Sequence, residues 1–332
     1  MESNFREIDK NHLKSTLMDF YIEYDNNLLL PKSSKFGFEI EFKIPGYKSE
    51  FIDFITSNLN DDYVELSNYI GAFLKKIGYD FPWNVTYEMN EHLEVISPIL
   101  TGVSCDWEML KAVLSFLKDN GAYYSGACGA HIHVEKSILK NNRNAWINFL
   151  KLWYLFENAI IKFTNGENYF ERKNFNTSSR RCSEEVLKLI NNFDDDCKLP
   201  KKLYSKKNSL MLERKRVKEL LQNVSGDYSV EDTIEFRCPN GTLNEVIWQN
   251  NTRFFLNLLN SSAEEKFDIE MLNYYMEEKN RTKDFLSNEE LYLADFIFNK
   301  EYDKMCFLRQ YYKDFNQPDE YSYTSISTPF WK

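Results

Sequence analysis

Apolar and polar side chains alternate along residues 36–44, with Phe36, Phe38, Ile40 and Phe42 on one side and Gly37, Glu39, Glu41 and Lys43 on the other. A period of two marks a β-strand with one buried face. The rhythm returns in 83–88 (WNVTYE) and 92–97 (HLEVIS), which read as two strands joined by a short turn, and again in 128–135 (CGAHIHVE) and 232–239 (DTIEFRCP). Between the strands the period lengthens to that of a helix. A short helix and a loop ending at Pro31 come first, and 51–77 reads as polar helix. After a loop over 98–105, Asp106 stands at the N-cap position of a helix that Gly121 ends. Residues 144–163 form a long amphipathic helix whose aromatics belong to the core. The stretch 165–185 is too irregular to assign. Residues 183–223 read as mostly helical with a break at 198–202, and Gly241 and Thr242 open a helix running to about residue 260. Strands scattered among helices, without a regular βαβ rhythm, predict an α+β fold with an antiparallel sheet. A boundary near residue 262 is expected to separate the strand-bearing unit, 1–262, from a helical extension, 263–332, packed on it.

The polar sides of these strands are unusual in content. Glu39 and Glu41 share a face, as do His92 and Glu94, His131 and His133, and Glu235 and Arg237. A merely solvated face alternates in the same way, but it is normally rich in Lys, Thr and Ser. Four carboxylates on one face repel one another unless cations neutralise them. Hard divalent ions suit oxygen ligands, and Mg²⁺ commonly works beside substrate phosphates. Residues two apart on a strand are separated by about 6.5–7 Å, so Glu39 and Glu41 could each reach one ion of a closely spaced pair. The planar fork of Arg237 fits a phosphate or carboxylate.

Composition narrows the field. The chain has 332 residues, 43% hydrophobic and 28% charged, as in ordinary globular proteins. The net charge of -10 disfavours nucleic acid as a partner. Residues 198–218 run against this trend with nine Lys or Arg. They read as a solvated loop leading onto a helix face, the alternative being a surface for phosphates or an acidic partner. Six cysteines at irregular spacing, without a C-x-x-C, and an N-terminus lacking an apolar run predict reduced thiols in a cytoplasmic protein. Cys128 and Cys238 read as small packed residues rather than nucleophiles. Lys151, Glu157 and Lys162 interrupt the most apolar stretch, which excludes it as a membrane span.

Taken in order, FGFEIEF, LEVISPIL, CGAHIHVE and TIEFRCPNGTL resemble the amidoligase family, carboxylate–amine ligases that share a fold with glutamine synthetase and glutamate–cysteine ligase. The motifs cover some 35 residues directly, and their order spans about 36–260. The resemblance implies a curved antiparallel sheet with flanking helices, holding ATP and Mg²⁺, with Mn²⁺ as the alternative ion. It implies Glu39, Glu41, Glu94, His131 and Glu235 as metal ligands. His133 and Arg237 become phosphate or transition-state contacts, with Glu41 also close to the chemistry, and Arg180 and Arg181 supply basic groups to the nucleotide. The implied partners are an amino-acid, peptide or protein carboxylate and an amine, joined through an acyl phosphate. One departure stands out: many relatives carry an Asp-Gly-Ser turn where this chain has Glu88-Met89-Asn90, just before the HLEVIS strand.

Three other readings compete. His131-x-His133 is also a zinc-site spacing, but such sites take further His or Cys ligands, and the only other histidines are His12 and His92. A phosphotransferase on the related guanidino-kinase fold would make ADP without an amide. A non-catalytic nucleotide-binding relative is disfavoured, because every acidic motif position is filled.

Overall fold

The alternating segments become strands where their patterning places them. The structure, a computed structural model, describes residues 10–31, 34–43, 70–79, 83–88, 92–139, 142–168, 171–172, 175, 179–191, 207–212, 233–265, 267–281 and 288–312. The strands are β1 (Phe36–Phe42), β2 (Asn84–Glu88), β3 (His92–Ile96), β4 (Ala130–Glu135), β5 (Leu210–Met211) and β6 (Thr233–Phe236). They form one antiparallel sheet in the order β2-β3-β1-β4-β6-β5, so the two richest motifs lie side by side at its centre.

The apolar side of the sheet is covered by helices α2 (Ser104–Asp119), α3 (Arg143–Thr164) and α5 (Glu245–Ser262). Aromatic rings supply much of the packing. Phe36 stacks on Trp107 of α2 at 5.5 Å, and Phe38 meets Trp248 of α5 edge-on at 5.0 Å. Phe236 lies between Trp153 of α3 at 5.8 Å and Phe255 of α5 at 3.9 Å. Such rings fill the interlayer space with large buried areas, which is where the high aromatic content goes.

Two expectations change in detail. Helix α2 starts at Ser104, so Asp106 sits inside its first turn. Its Oδ2 accepts the N–H groups of Thr101 and Gly102, at 2.7 and 2.9 Å, and ties down the preceding turn instead of capping the helix. Residues 210–211, expected to be helical, are β5: pairing Leu210 opposite Phe236 buries Leu210, and tertiary contact outweighs local pattern. Gly121 (φ 79°) follows the end of α2 as expected, and Asn142 and Asn244 cap α3 and α5 with their side chains.

Helix α1 (Lys10–Met18) precedes the sheet, residues 70–76 are helical, and α4 (Ser183–Asn191) packs on α3. Beyond residue 262 lie α6 (Ile269–Arg281), α7 (Glu289–Ile297) and α8 (Glu301–Tyr312), all packed on α3. Buried Gln310 of α8 donates to the Phe163 carbonyl and to Asn251 Oδ1. Among the described residues no helix is long and apolar enough to cross a membrane.

Candidate active site

Strand register decides which polar groups meet. Glu39 pairs with His131 of β4, and Glu41 with Glu94 of β3. Gly37 pairs with His133, which in turn faces Glu235 of β6. Because side chains alternate along each strand, these acids and imidazoles converge on the side opposite the helices.

Glu39 is the hub. Its Oε2 lies 2.7 Å from His131 Nδ1, and its Oε1 lies 3.0 Å from His133 Nε2. The other His133 nitrogen, Nδ1, is 3.2 Å from Thr233 Oγ1, so the ring is held at both ends. His131 Nδ1 is also 3.8 Å from Glu235 Oε1. Two sets of three groups have ligand atoms within 4.8 Å of one another: Glu39, Glu94 and His131, and Glu39, His133 and Glu235. Glu39 belongs to both.

Burial sharpens the electrostatics. Glu94, His131 and Glu235 are 5%, 3% and 4% exposed, a depth at which clustered carboxylates repel strongly. Burial pushes the Glu39 carboxyl up, but the hydrogen bonds from His131 and His133 outweigh it and hold this acid well below the usual carboxylate range. His133 moves the other way: burial lowers it, and the hydrogen bond to Glu39 raises it further than burial lowers it. His131 Nε2 is buried without a hydrogen-bond partner and faces Glu41 Oε1 at 3.5 Å. An orphaned imidazole nitrogen among close carboxylates is the donor set that a divalent cation fits.

Glu41 stands apart from both sets. Its Oε2 accepts the Gly129 N–H at 2.5 Å, which pins the carboxylate to the β4 entrance. Gly129 has no room for a side chain, because a Cβ there would lie 1.7 Å from Arg172 Nη1 and 3.1 Å from Glu41 Oε1. Arg172 is buried beside this glycine, with Nη1 donating to the Pro239 carbonyl and Nη2 to the Arg237 carbonyl. Arg172 falls in the irregular stretch, where no periodicity drew attention to it.

The predicted cations separate. Arg237 follows β6 on the acid side, and its Nη1 pairs with Glu235. Arg180 lies beside Asn208, with Nε donating to Asn208 Oδ1 at 3.2 Å, and its Nη atoms make no hydrogen bond among the described residues. Arg181 turns to the helical layer: Nε donates to Asn158 of α3, the guanidinium pairs with Glu171, and its face covers Phe175. The structure therefore splits the pair and leaves only Arg180 with donors to spare.

The side chain of His92 and residues 89–90 lie outside the described residues, as does all of 198–218 except 207–212. The described cysteines are free. Cys128 and Cys238 are buried, and burial raises both thiols, Cys238 to about 12, so both keep their protons as packed residues.

No curated protein matches the sequence. Among solved structures, a glutamine synthase homolog aligns at 11% identity and a TM-score of 0.39, over 84% of this chain and 64% of that one. The chain thus spans less than two thirds of that protein's length. A family model described as "Putative amidoligase enzyme" matches residues 9–259, which take in all six strands and every polar group of the site. The chain belongs to the amidoligase family.

Proposed function

We propose that the chain is an ATP- and Mg²⁺-dependent ligase that joins a carboxylate to an amine through an acyl phosphate. The observation that carries this reading is Glu39, shared by two sets of close acidic and imidazole ligands on one sheet face. Glu39 with Glu94 and His131, and Glu39 with His133 and Glu235, would hold divalent cations. When bound, such ions neutralise the carboxylates and offset charge on phosphate oxygens. In the overall reaction a substrate carboxylate takes the γ-phosphoryl group, ADP departs, and the amine then displaces phosphate from the acyl carbon.

The chain's own groups have distinct tasks. Arg237 donates from a planar fork to the transferring phosphoryl group, where added negative charge needs a fixed partner. His133, hydrogen-bonded to Glu39 and to Thr233, is held by both ring nitrogens at the same edge of the cluster. Arg180 supplies the second guanidinium, and Arg181, already neutralised by Glu171, supplies none. Glu41, fixed by the Gly129 N–H rather than by either ligand set, remains available to accept a proton from the amine.

Mass analysis of products formed from ATP, Mg²⁺ and a mixed amino-acid pool tests the proposal. ADP, phosphate and a product lighter by one water than its two substrates are expected. ADP with a phosphorylated product and no amide would point to a phosphotransferase instead.

A further inference from the structure

Arg237 lies just past the end of β6, where strand pairing gives out. Its main chain is held there by groups from the stretch between α3 and β5. The Arg237 carbonyl accepts from Ser179 Oγ at 2.6 Å and from Arg172 Nη2 at 3.2 Å, and the Arg237 N–H donates to the Ser209 carbonyl at 2.9 Å. The second arm of Arg172 reaches the Pro239 carbonyl at 3.4 Å, and its own N–H meets Asn240 Oδ1 at 3.1 Å. One buried guanidinium therefore spans the exit of β6 from residue 237 to residue 239, and the Arg172 main chain adds a contact to residue 240.

The same guanidinium is seated on Gly129, the residue whose N–H holds Glu41. Across from Gly129, Gly241 allows an equally tight approach, since a Cβ there would lie 2.7 Å from Cys128 Cβ. Two glycines thus bring the entrance of β4 and the exit of β6 together, and Arg172 fills the space that remains. Burial lowers the guanidinium, the nearby Glu41 carboxylate opposes this, and Arg237 adds to it.

We infer that Arg172 is a positioning residue for the ligase centre: through Gly129 and the Arg237 and Pro239 carbonyls, it fixes where the Arg237 side chain stands relative to Glu41 and the acid cluster. The inference rests on the ligase reading for its effect on turnover, but not for its effect on the β6 exit. Lysine at this position keeps the charge and loses the planar fork, so a point charge on a flexible stem replaces two donors of fixed geometry. A misplacement near 1 Å at a reacting group can cost about 10²-fold in rate.

The test uses the full chain carrying Arg172→Lys or Ser179→Ala. Steady-state ADP release is measured beside hydrogen exchange of residues 235–241 and a thermal melt. Arg172→Lys is expected to lower kcat by about 10²-fold while changing the ATP KM little, with faster exchange across 235–241. Ser179→Ala removes one donor to the same carbonyl and leaves Glu41 untouched, so a smaller kcat loss with faster exchange is expected. Wild-type turnover and exchange in Arg172→Lys would overturn the inference, and so would a silent Ser179→Ala if Arg172→Lys does not fold. A wild-type chain that releases no ADP would remove the ligase reading instead, and the exchange measurement would still decide whether Arg172 holds the β6 exit.

Discussion

Two buried sets of acids lie on opposite sides of the same sheet and are served very differently. On the helical side, Glu157 of α3 is 3% exposed and saturated by neutral donors. Its Oε1 accepts from Trp153 Nε1, the Cys182 N–H and Ser209 Oγ, and its Oε2 accepts the Ser183 N–H at the start of α4. On the open side, Glu39 and Glu235 meet imidazoles and a guanidinium, Glu94 stands within 4.8 Å of the Glu39 and His131 ligand atoms, and His131 Nε2 has no hydrogen-bond partner. A carboxylate whose acceptor sites are filled by the chain holds structure together. Acids packed against one another with a donor to spare are arranged for something that binds. Burial is shared by both sets, and the difference lies in the partners.

The sharpest way to separate the two is to remove one acid from each. Glu157→Ala leaves four neutral donors without their acceptor, three of them buried, and each buried unsatisfied donor costs about 1–3 kcal/mol. Urea denaturation should show that loss with or without Mg²⁺. Glu39→Gln should cost less metal-free stability than Glu157→Ala, because the hydrogen bonds to His131 and His133 weaken while like-charge crowding with Glu94 and Glu235 is relieved. If Glu39→Gln were the more destabilised of the two, the contrast would fail.

Arg237→Lys comes next in size. Loss of one well-placed donor to developing charge costs about 10²–10³ in rate, or roughly 3–4 kcal/mol. Steady-state ADP release at saturating ATP should fall by that factor with an unchanged melting curve. A lowered melting point with a proportionate loss of activity would move Arg237 to the structural side of the comparison.

Metal addition should act on only one of the two sets. A ligand that binds the folded chain alone stabilises it by about 2.7 kcal/mol at a hundred times its Kd. Wild type and Glu157→Ala should both gain from Mg²⁺ in denaturant titrations, and Glu39→Gln should gain much less. Equal gains in all three would place the ion elsewhere. The smallest expected effect is that of Gly129→Ala, whose new methyl would push against the buried Arg172 guanidinium. Overpacking costs about 1–3 kcal/mol, readable as a shift in the urea midpoint.

Much of this arrangement was legible in the chain. Alternation located β1, β3, β4 and β6 and put Glu39, Glu94, His131, His133, Glu235 and Arg237 on one side, because a period of two survives wherever one face is buried. The long aromatic helix was equally clear. What escaped had no period to announce it. β5 is two residues long and is a strand only because Phe236 lies beside Leu210. Arg172 and Ser179 stand in an irregular segment, and their role comes from the β6 exit, which is distant in sequence. Arg180 and Arg181 are adjacent in sequence, and only the positions of Asn208, Asn158 and Glu171 tell them apart. Glu41 matched its motif, yet the ligand sets close around Glu39 because Glu41 is held by Gly129. The CGAHIHVE motif contains that glycine, but the crowding that requires it is a fact of three dimensions.

The central claim is that the open face binds nucleotide through divalent cations. Calorimetric titration of ATP into the wild-type chain, once with Mg²⁺ and once with EDTA, tests it most directly. The account predicts saturable binding with Mg²⁺ and a large loss of affinity in EDTA, since the bare acids repel the phosphates. Equal affinity under both conditions would contradict it.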